Sequence, residues 1–426
     1  PGAFFLDTCN AWHTTPSSGP IESPNPCARR GSMILTDVGW RRIETLEGKD
    51  VRIFDGVSFA VGEVWKTGRK SIVRLHTNNG RFLDVTEDHE IYTENGWVEA
   101  KATEGLSIPY VLPQIFISGD LYLPKCITGG SGYFYNTHRE DLMESLGFLQ
   151  GDGSMNPSSQ VVTINYTPQK DGEFVEETVI PILSDIAADI GETEYTARQP
   201  QNIGHQYVIS RSKLYKWLID LGFNAVPLPK RTLPSFIWSA KRGAQCAFLR
   251  GLFGANGNIL KDARNAVVLV STCKQMLNEV QMLLQTFGIT INVRIHNKEQ
   301  EIEWDNGVYT IKESYHLEIN HQQDIFLFAK FIGFPQESQL KKLHRAMSPH
   351  LMTKKASSFQ HRTKMKVVKV ECLNEQDDVY DFRVDTTSMG LVNGILVHNC
   401  SEFIRSNDEA CFAGETRIST PYGLRS

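Results

Sequence analysis

Gly394-Ile395-Leu396-Val397-His398-Asn399-Cys400 sets an apolar, strand-like run directly before a His-Asn-Cys triplet. An asparagine carboxamide can attack its own backbone carbonyl, close a succinimide and cut the peptide bond that follows it. Here that bond joins Asn399 to Cys400, and His398 is an imidazole placed to move the protons. The residue released carries a thiol, a strong nucleophile. A buried strand ending in a polar turn would spell the same letters. The chemical reading therefore needs partners elsewhere in the chain.

Outward from this stretch, short β-type runs recur at 366–370 and 379–384, and again far upstream at 32–35, 51–54, 59–66, 71–77, 82–85 and 97–100. Turn signals such as Glu47-Gly48-Lys49 and Asn78-Asn79-Gly80 separate them, the pattern of a compact all-β domain. Between the two β segments the texture is mixed α/β. Helical periodicity runs through 140–150, 212–221, 244–253 and 274–287, and through 175–190, where Pro181 predicts a kink or a fresh start. A β domain (27–130 and 362–399) split by an α/β insert (131–361) is the simplest account.

The insert repeats itself. Leu146-Gly147-Phe148-Leu149-Gln150-Gly151-Asp152-Gly153 aligns with Arg250-Gly251-Leu252-Phe253-Gly254-Ala255-Asn256-Gly257, each followed by a strand (161–165, 266–270) and helices. Gly147, Gly151 and Gly153 leave room for two helices to approach closely, which predicts two pseudo-symmetric halves. A second repeat counts from cysteines. Ser32, Ile34, Thr36 and Gly39 stand at the same offsets from Cys27 as Thr416, Ile418, Thr420 and Gly423 do from Cys411.

Cys27 and Cys400 bracket the β domain, and a domain closed by its own terminal strands brings both thiols together. Cys27 can then attack the Pro26 carbonyl and turn that amide into a thioester, an uphill step that requires protonation of the leaving nitrogen. Thr86-Glu87-Asp88-His89 supplies a hydroxyl and an imidazole three residues apart, suited to polarising that bond. In these residues the chain resembles an intein, a protein-splicing element. Cys27 with Gly31-Ser32-Met33-Ile34-Leu35-Thr36 resembles the first block, Thr86-x-x-His89 the T-x-x-H block, and 394–400 the terminal block. Val379-Tyr380-Asp381-Phe382-Arg383-Val384 resembles the block before it, where Asp381 matches the aspartate that couples the two cleavages. The resemblance implies an all-β, horseshoe-like Hint splicing domain with Cys27, Thr86, His89, Asp381, His398, Asn399 and Cys400 as its catalytic residues and no cofactor. A histidine common in the family falls on Ser388 here, which implies different proton handling. The stiff ring of Pro26 at the attacked carbonyl predicts slow splicing.

The paired glycine-acid motifs resemble LAGLIDADG homing endonucleases of the DOD type. The resemblance implies double-stranded DNA as partner and Mg²⁺ as cofactor, held by Asp152. The second motif has Asn256 at the matching place, so weak, one-strand or absent cleavage is expected. Lys230 and Arg231 fall near the family's basic active-site position, and Lys230 is the residue carried over. A stretch from Lys341 to Lys369, with Lys342, Arg345, Lys354, Lys355, Arg362, Lys364 and Lys366, holds no acid and suits phosphate contacts.

Removing 27–399 joins Asn25-Pro26 to Cys400-Ser401-Glu402-Phe403. With Pro1-Gly2 and Asn10-x-x-His13 upstream, this resembles ribonucleotide reductase, most closely the adenosylcobalamin-dependent class II. The resemblance implies a ribonucleotide substrate, Cys400 as the thiyl-forming cysteine, Asn25 at the ribose and Glu402 as general base. Flank 1–26 and segment 400–410 would be host, and 411–426 the start of a second, truncated intein. The chain is expected to be an excerpt of a longer frame.

Composition adds bounds. At 426 residues, two to four domains are expected; 41% hydrophobic and 22% charged content are ordinary for globular protein. A net charge of −5 announces no bulk nucleic-acid affinity. No apolar run reaches membrane-span length and no apolar leader opens the chain, so no membrane partner is expected. Eight cysteines without a C-x-x-C pair argue against a disulfide framework or structural zinc and for a reducing cytoplasm. Two rivals explain less. A free-standing homing endonuclease leaves Cys27 and Asn399 idle, and a Hint autoprocessing domain that cleaves without ligation has no use for Asn399-Cys400.

Overall fold

The computed structural model describes residues 27–113, 122–124, 134–136, 139–191, 195–200, 205–260, 266–304, 307–351, 363–385, 387–398, 418–420 and 423–425. Asn25, Asn399, Cys400, Glu402, Lys354, Lys355, Arg362 and Cys411 lie outside them.

Twelve strands, paired antiparallel, build the β domain. Its spine is a ribbon of two long strands, Phe59–Thr77 from before the insert and Lys364–Val384 from after it. They pair from Gly62 opposite Val384 to Thr77 opposite Val367. The runs at 59–66 and 71–77 are thus one strand, as are 366–370 and 379–384. Two of the ribbon's three shifts of register, at Thr67 and between Cys372 and Gln376, fall in the polar interruptions that made each strand look like two. The strand Ser107–Pro109, which precedes the insert, pairs with the first residues of Lys364–Val384, so the chain leaves and re-enters the β domain at one edge.

The insert is built around two helices, Glu140–Asp152 and Arg242–Asn256, one from each repeat. Their contact is backbone against backbone. A Cβ at Gly147 would stand 1.9 Å from the Phe248 carbonyl oxygen, and one at Gly251 1.9 Å from that of Glu144. Gly151 faces Ala255 across the same seam. Gly153 does not share this role. It faces Leu149 of its own helix and opens the strand Gly153–Asn156. Each helix runs into its own antiparallel sheet, three strands in the first half and four in the second. The halves are pseudo-symmetric in plan and unequal in detail. Pro181 follows a π-helical turn, Val175–Val179, between the helices Pro168–Phe174 and Ile180–Gly191. The widened turn lies where the proline ring and its missing N–H disturb an α-helix.

The two parts share a core. Helix Lys274–Gln285 lies against the β domain, with Met33, Leu35, Trp40, Leu391 and Leu396 buried in the same cluster as Leu277 and Leu284. Polar bonds cross with them. Trp40 Nε1 donates to the Met282 carbonyl at 3.2 Å, and Gln281 Nε2 to that of Asn79 at 3.1 Å. Gln285, fully buried, donates to the carbonyls of Val111 (2.6 Å) and Gly394 (3.2 Å).

Candidate active site

The strand Ala28–Arg29 sits between Phe82–Val85 and Lys364–Val384, with Ala28 opposite both Val85 and Tyr380. One residue back along that register, Cys27 falls between Thr86 and Asp381. Its backbone N–H donates to Thr86 Oγ1 at 3.0 Å, and its carbonyl accepts from the Thr86 N–H at 3.0 Å. The nitrogen of the Pro26–Cys27 peptide bond is thus held on the hydroxyl that the sequence singled out. His89 is fully buried in the same turn, its N–H on the Thr86 carbonyl at 3.1 Å.

A residue the sequence did not flag completes this end. Val379 pairs with Gly68 and Tyr380 with Lys66, so Thr67 is the extra residue of a β-bulge. Bulges re-aim side chains, and this one points a hydroxyl at the thiol. Cys27 Sγ donates to Thr67 Oγ1 at 3.1 Å. Burial first, and then the charge of Asp381, push the Cys27 thiol up to about 12. Asp381 itself is fully buried, its Oδ1 accepting the Phe382 N–H at 2.8 Å.

The other end approaches through the strand Ile395–His398. It pairs with Met389–Val392 on one side and, through Val397 opposite Ile91, with Glu90–Thr93 on the other. That register sets His398 beside Glu90, with Nδ1 3.7 Å from Oε2 and the ring edge-on to Trp97 at 4.9 Å. Burial lowers the His398 pKa and the Glu90 charge opposes it, so the imidazole is held neutral at pH 7, the form that accepts a proton. Segment 85–91 therefore carries Thr86 and His89 between its contacts to the two terminal strands. The preceding turn, Asn393-Gly394, is also tied down: Arg81 Nη1 donates to the Asn393 carbonyl at 2.7 Å, and Met33 N–H to Asn393 Oδ1 at 2.7 Å.

In the insert, Asp152 ends the first motif helix beside Asn256, which hydrogen-bonds it. Desolvation raises its pKa to about 6, while Lys170 and Arg231 oppose the rise and Asp171 adds to it. Lys230 is exposed at the end of the turn Leu228–Lys230. Its neighbour Arg231 is the one turned inward, with Nη1 on the Gln150 carbonyl at 3.3 Å. Among the described residues no three His, Cys, Asp or Glu side chains cluster as a metal site. In the basic stretch, Lys341, Lys364 and Lys369 find acids in Glu337, Glu94 and Glu371.

The Asp152 shift predicts a stability effect. The unfolded carboxyl gives up its proton near 3.8 and the folded one near 6. Between those values the folded chain holds a proton the unfolded chain has lost, so stability falls as pH rises. Asp152→Asn removes the buried charge and is expected to stabilise the insert by about 3 kcal/mol at pH 7. Urea denaturation at pH 7 and pH 4 checks this, since the gain should vanish at the lower pH.

A family described as "LAGLIDADG-like domain" matches residues 243–333. Across 97% of its length the chain is 22% identical to the ribonucleoside-diphosphate reductase NrdEB subunit alpha of Bacillus subtilis (strain 168), and it spans 39% of that protein. Among solved structures, a DnaB intein from Synechocystis sp. PCC 6803 covers 20% of this chain and 69% of its own at 23% identity and a TM-score of 0.19. I-DmoI, solved in complex with DNA and Ca, covers 49% of this chain and all of its own at 15% identity and a TM-score of 0.34.

In its motifs and its matched domain the chain is similar to an intein whose Hint splicing domain is interrupted by a LAGLIDADG-like domain. The chain in which it is set is similar to ribonucleotide reductase.

Proposed function

We propose that the chain excises 27–399 and joins Pro26 to Cys400. The observation that carries this reading is segment 85–91, paired through Val85 with Ala28 and through Ile91 with Val397. The Cys27 sulfur attacks the Pro26 carbonyl. The C–N bond breaks, and the nitrogen leaves as an amine with the thiol's proton, handled at Thr86 and His89. Cys400 takes the acyl group and returns the Cys27 thiol. The Asn399 carboxamide nitrogen then attacks its own carbonyl, cutting the bond to Cys400, with neutral His398 as the neighbouring base. The freed Cys400 amine takes the acyl group from its own sulfur, leaving a peptide bond. Asp381, beside Cys27, couples the steps.

The joined flank rebuilds Asn25-Pro26-Cys400-Ser401-Glu402, the radical loop of a cytoplasmic, adenosylcobalamin-dependent reductase of ribonucleotides. A second intein begins at Cys411. The hairpin Ile418–Thr420 with Gly423–Arg425 supports this, since Thr420 faces Gly423 and Ile418 faces Arg425 just as Thr36 faces Gly39 and Ile34 faces Arg41. The insert binds double-stranded DNA, with weak, one-strand or absent cleavage because Asn256 replaces a carboxylate.

The test is intact mass after expression, which should return free 27–399 and the joined flanks. The first step also carries a pH signature. With the thiol near 12, the thiolate fraction rises about tenfold per pH unit. Dithiothreitol-released N-terminal fragment from Asn399→Ala precursor should therefore form about tenfold faster at pH 8 than at pH 7. A flat profile would remove thiolate attack from the mechanism.

A further inference from the structure

We propose that the insert carries its own cation: the Lys170 ammonium sits in a cage of oxygens that a divalent ion would otherwise fill. Lys170 Nζ donates to the carbonyl of Gly254 at 3.0 Å and to that of Ala255. Both belong to the last turn of the second motif helix, where carbonyls lack partners within the helix and the dipole is negative. Asp171 Oδ1 lies 3.5 Å from the same nitrogen, and the Asp152 carboxyl is close enough to feel its charge. Two carbonyls and the Asp171 carboxylate, with the Asp152 charge nearby, are hard oxygen donors, the kind that Mg²⁺ and Ca²⁺ prefer.

A lysine often covers the end of a helix, but it usually comes from that helix or its continuation. Lys170 comes from the first half of the insert, in the helix Pro168–Phe174, and crosses to the end of the second half's motif. It is therefore shared by the two motif ends, where a catalytic ion would have to sit. The neighbouring residues complete the arrangement. Gln336 Nε2 donates both to Asp171 Oδ1 and to the Gly254 carbonyl, each at 3.0 Å, and the Thr167 N–H donates to the other Asp171 oxygen at 3.2 Å. Asn256, at the position that matches Asp152 in the second motif, hydrogen-bonds the Asp152 carboxyl. With one ammonium against two carboxylates the cage needs no divalent ion, and a resident pair of ions does not fit it.

This inference concerns the insert alone and stands whether or not the chain splices. It predicts that the protein, mutated at Asn399→Ala to keep it whole, binds no Mn²⁺ at the motif ends. Free Mn²⁺ counted by electron paramagnetic resonance should show no Asp152-dependent binding in that parent. Lys170→Met and Lys170→Gln each empty the cage, and are expected to create one Mn²⁺ site at least tenfold tighter than any in the parent. Adding Asp152→Asn should abolish it, and Lys170→Arg should not create it. If the parent binds Mn²⁺ in a way that Asp152→Asn removes, the inference is overturned whatever the lysine variants do. It is equally overturned if Lys170→Met and Lys170→Gln melt cooperatively yet gain no site.

Discussion

Precursor carrying Cys27→Ala is expected to yield no joined flanks at all, with C-terminal cleavage at Asn399 the one reaction left. Cys27 carries the thiol adjoining the Pro26–Cys27 bond, and its backbone N–H is held by Thr86 Oγ1. Thr67 and Thr86 offer hydroxyls there, but each is engaged, one with the thiol and one with the Cys27 N–H. Without sulfur there is no thioester for Cys400 to take over, so the loss is of the whole pathway, not of one contribution. A smaller effect should follow from Thr86→Val, which leaves the thiol but removes the acceptor from the leaving nitrogen. Loss of one positioned polar group at a reacting centre slows a step by about 10²-fold. Mass spectrometry of the two variants separates them: slow product for Thr86→Val, none for Cys27→Ala. Joined flanks from Cys27→Ala would end the proposed mechanism.

The second large effect is on stability. Gly251→Val should prevent the insert from folding. Even its first side-chain carbon would stand 1.9 Å from the Glu144 oxygen and 2.7 Å from the Glu144 carbonyl carbon, and the clash is with backbone, which no rotamer relieves. The helices Glu140–Asp152 and Arg242–Asn256 would have to separate by more than an ångström, along a seam where Gly147 and Phe248 meet as closely. Overpacking of ordinary cores costs about 1–3 kcal/mol, and a backbone clash at a helix crossing should exceed about 4 kcal/mol. Gly243, on the same helix, is the control. Nothing lies within 4 Å of a Cβ added there, so Gly243→Ala should stabilise by roughly 0.5 kcal/mol through helix propensity alone. Urea titration of the two variants should give opposite signs, and a tolerated Gly251→Val would refute the seam.

The residues at both junctions were legible because their chemistry is local: an Asn before a Cys, a Thr three before a His. The two halves of the β domain were also legible as one texture, although the long ribbon looked like four strands. Its polar interruptions fall at register shifts, which only pairing reveals. Thr67 had no signal in the sequence, since a bulge exists only with respect to the partner strand. Lys170 carried no signal in the sequence, since its partners lie 84 and 85 residues away. Arg231 was preferred over Lys230 by the direction of one turn, which spacing alone does not give. The docking of Lys274–Gln285 was hidden for a similar reason. Its apolar stripe announces that something is covered, and not what.

That docking bears on how such a chain can shrink. An insert tethered only by its two ends could be lost in one deletion, leaving a shorter chain with the same surface. Here the deletion would strip Trp40, Leu391 and Leu396 of their cover and the carbonyls of Asn79 and Gly394 of their donors. Mutations at Asp152 therefore do not release Gln281, Met282 and Gln285 from constraint. Whatever else the insert does, this helix holds up the wall it leans on.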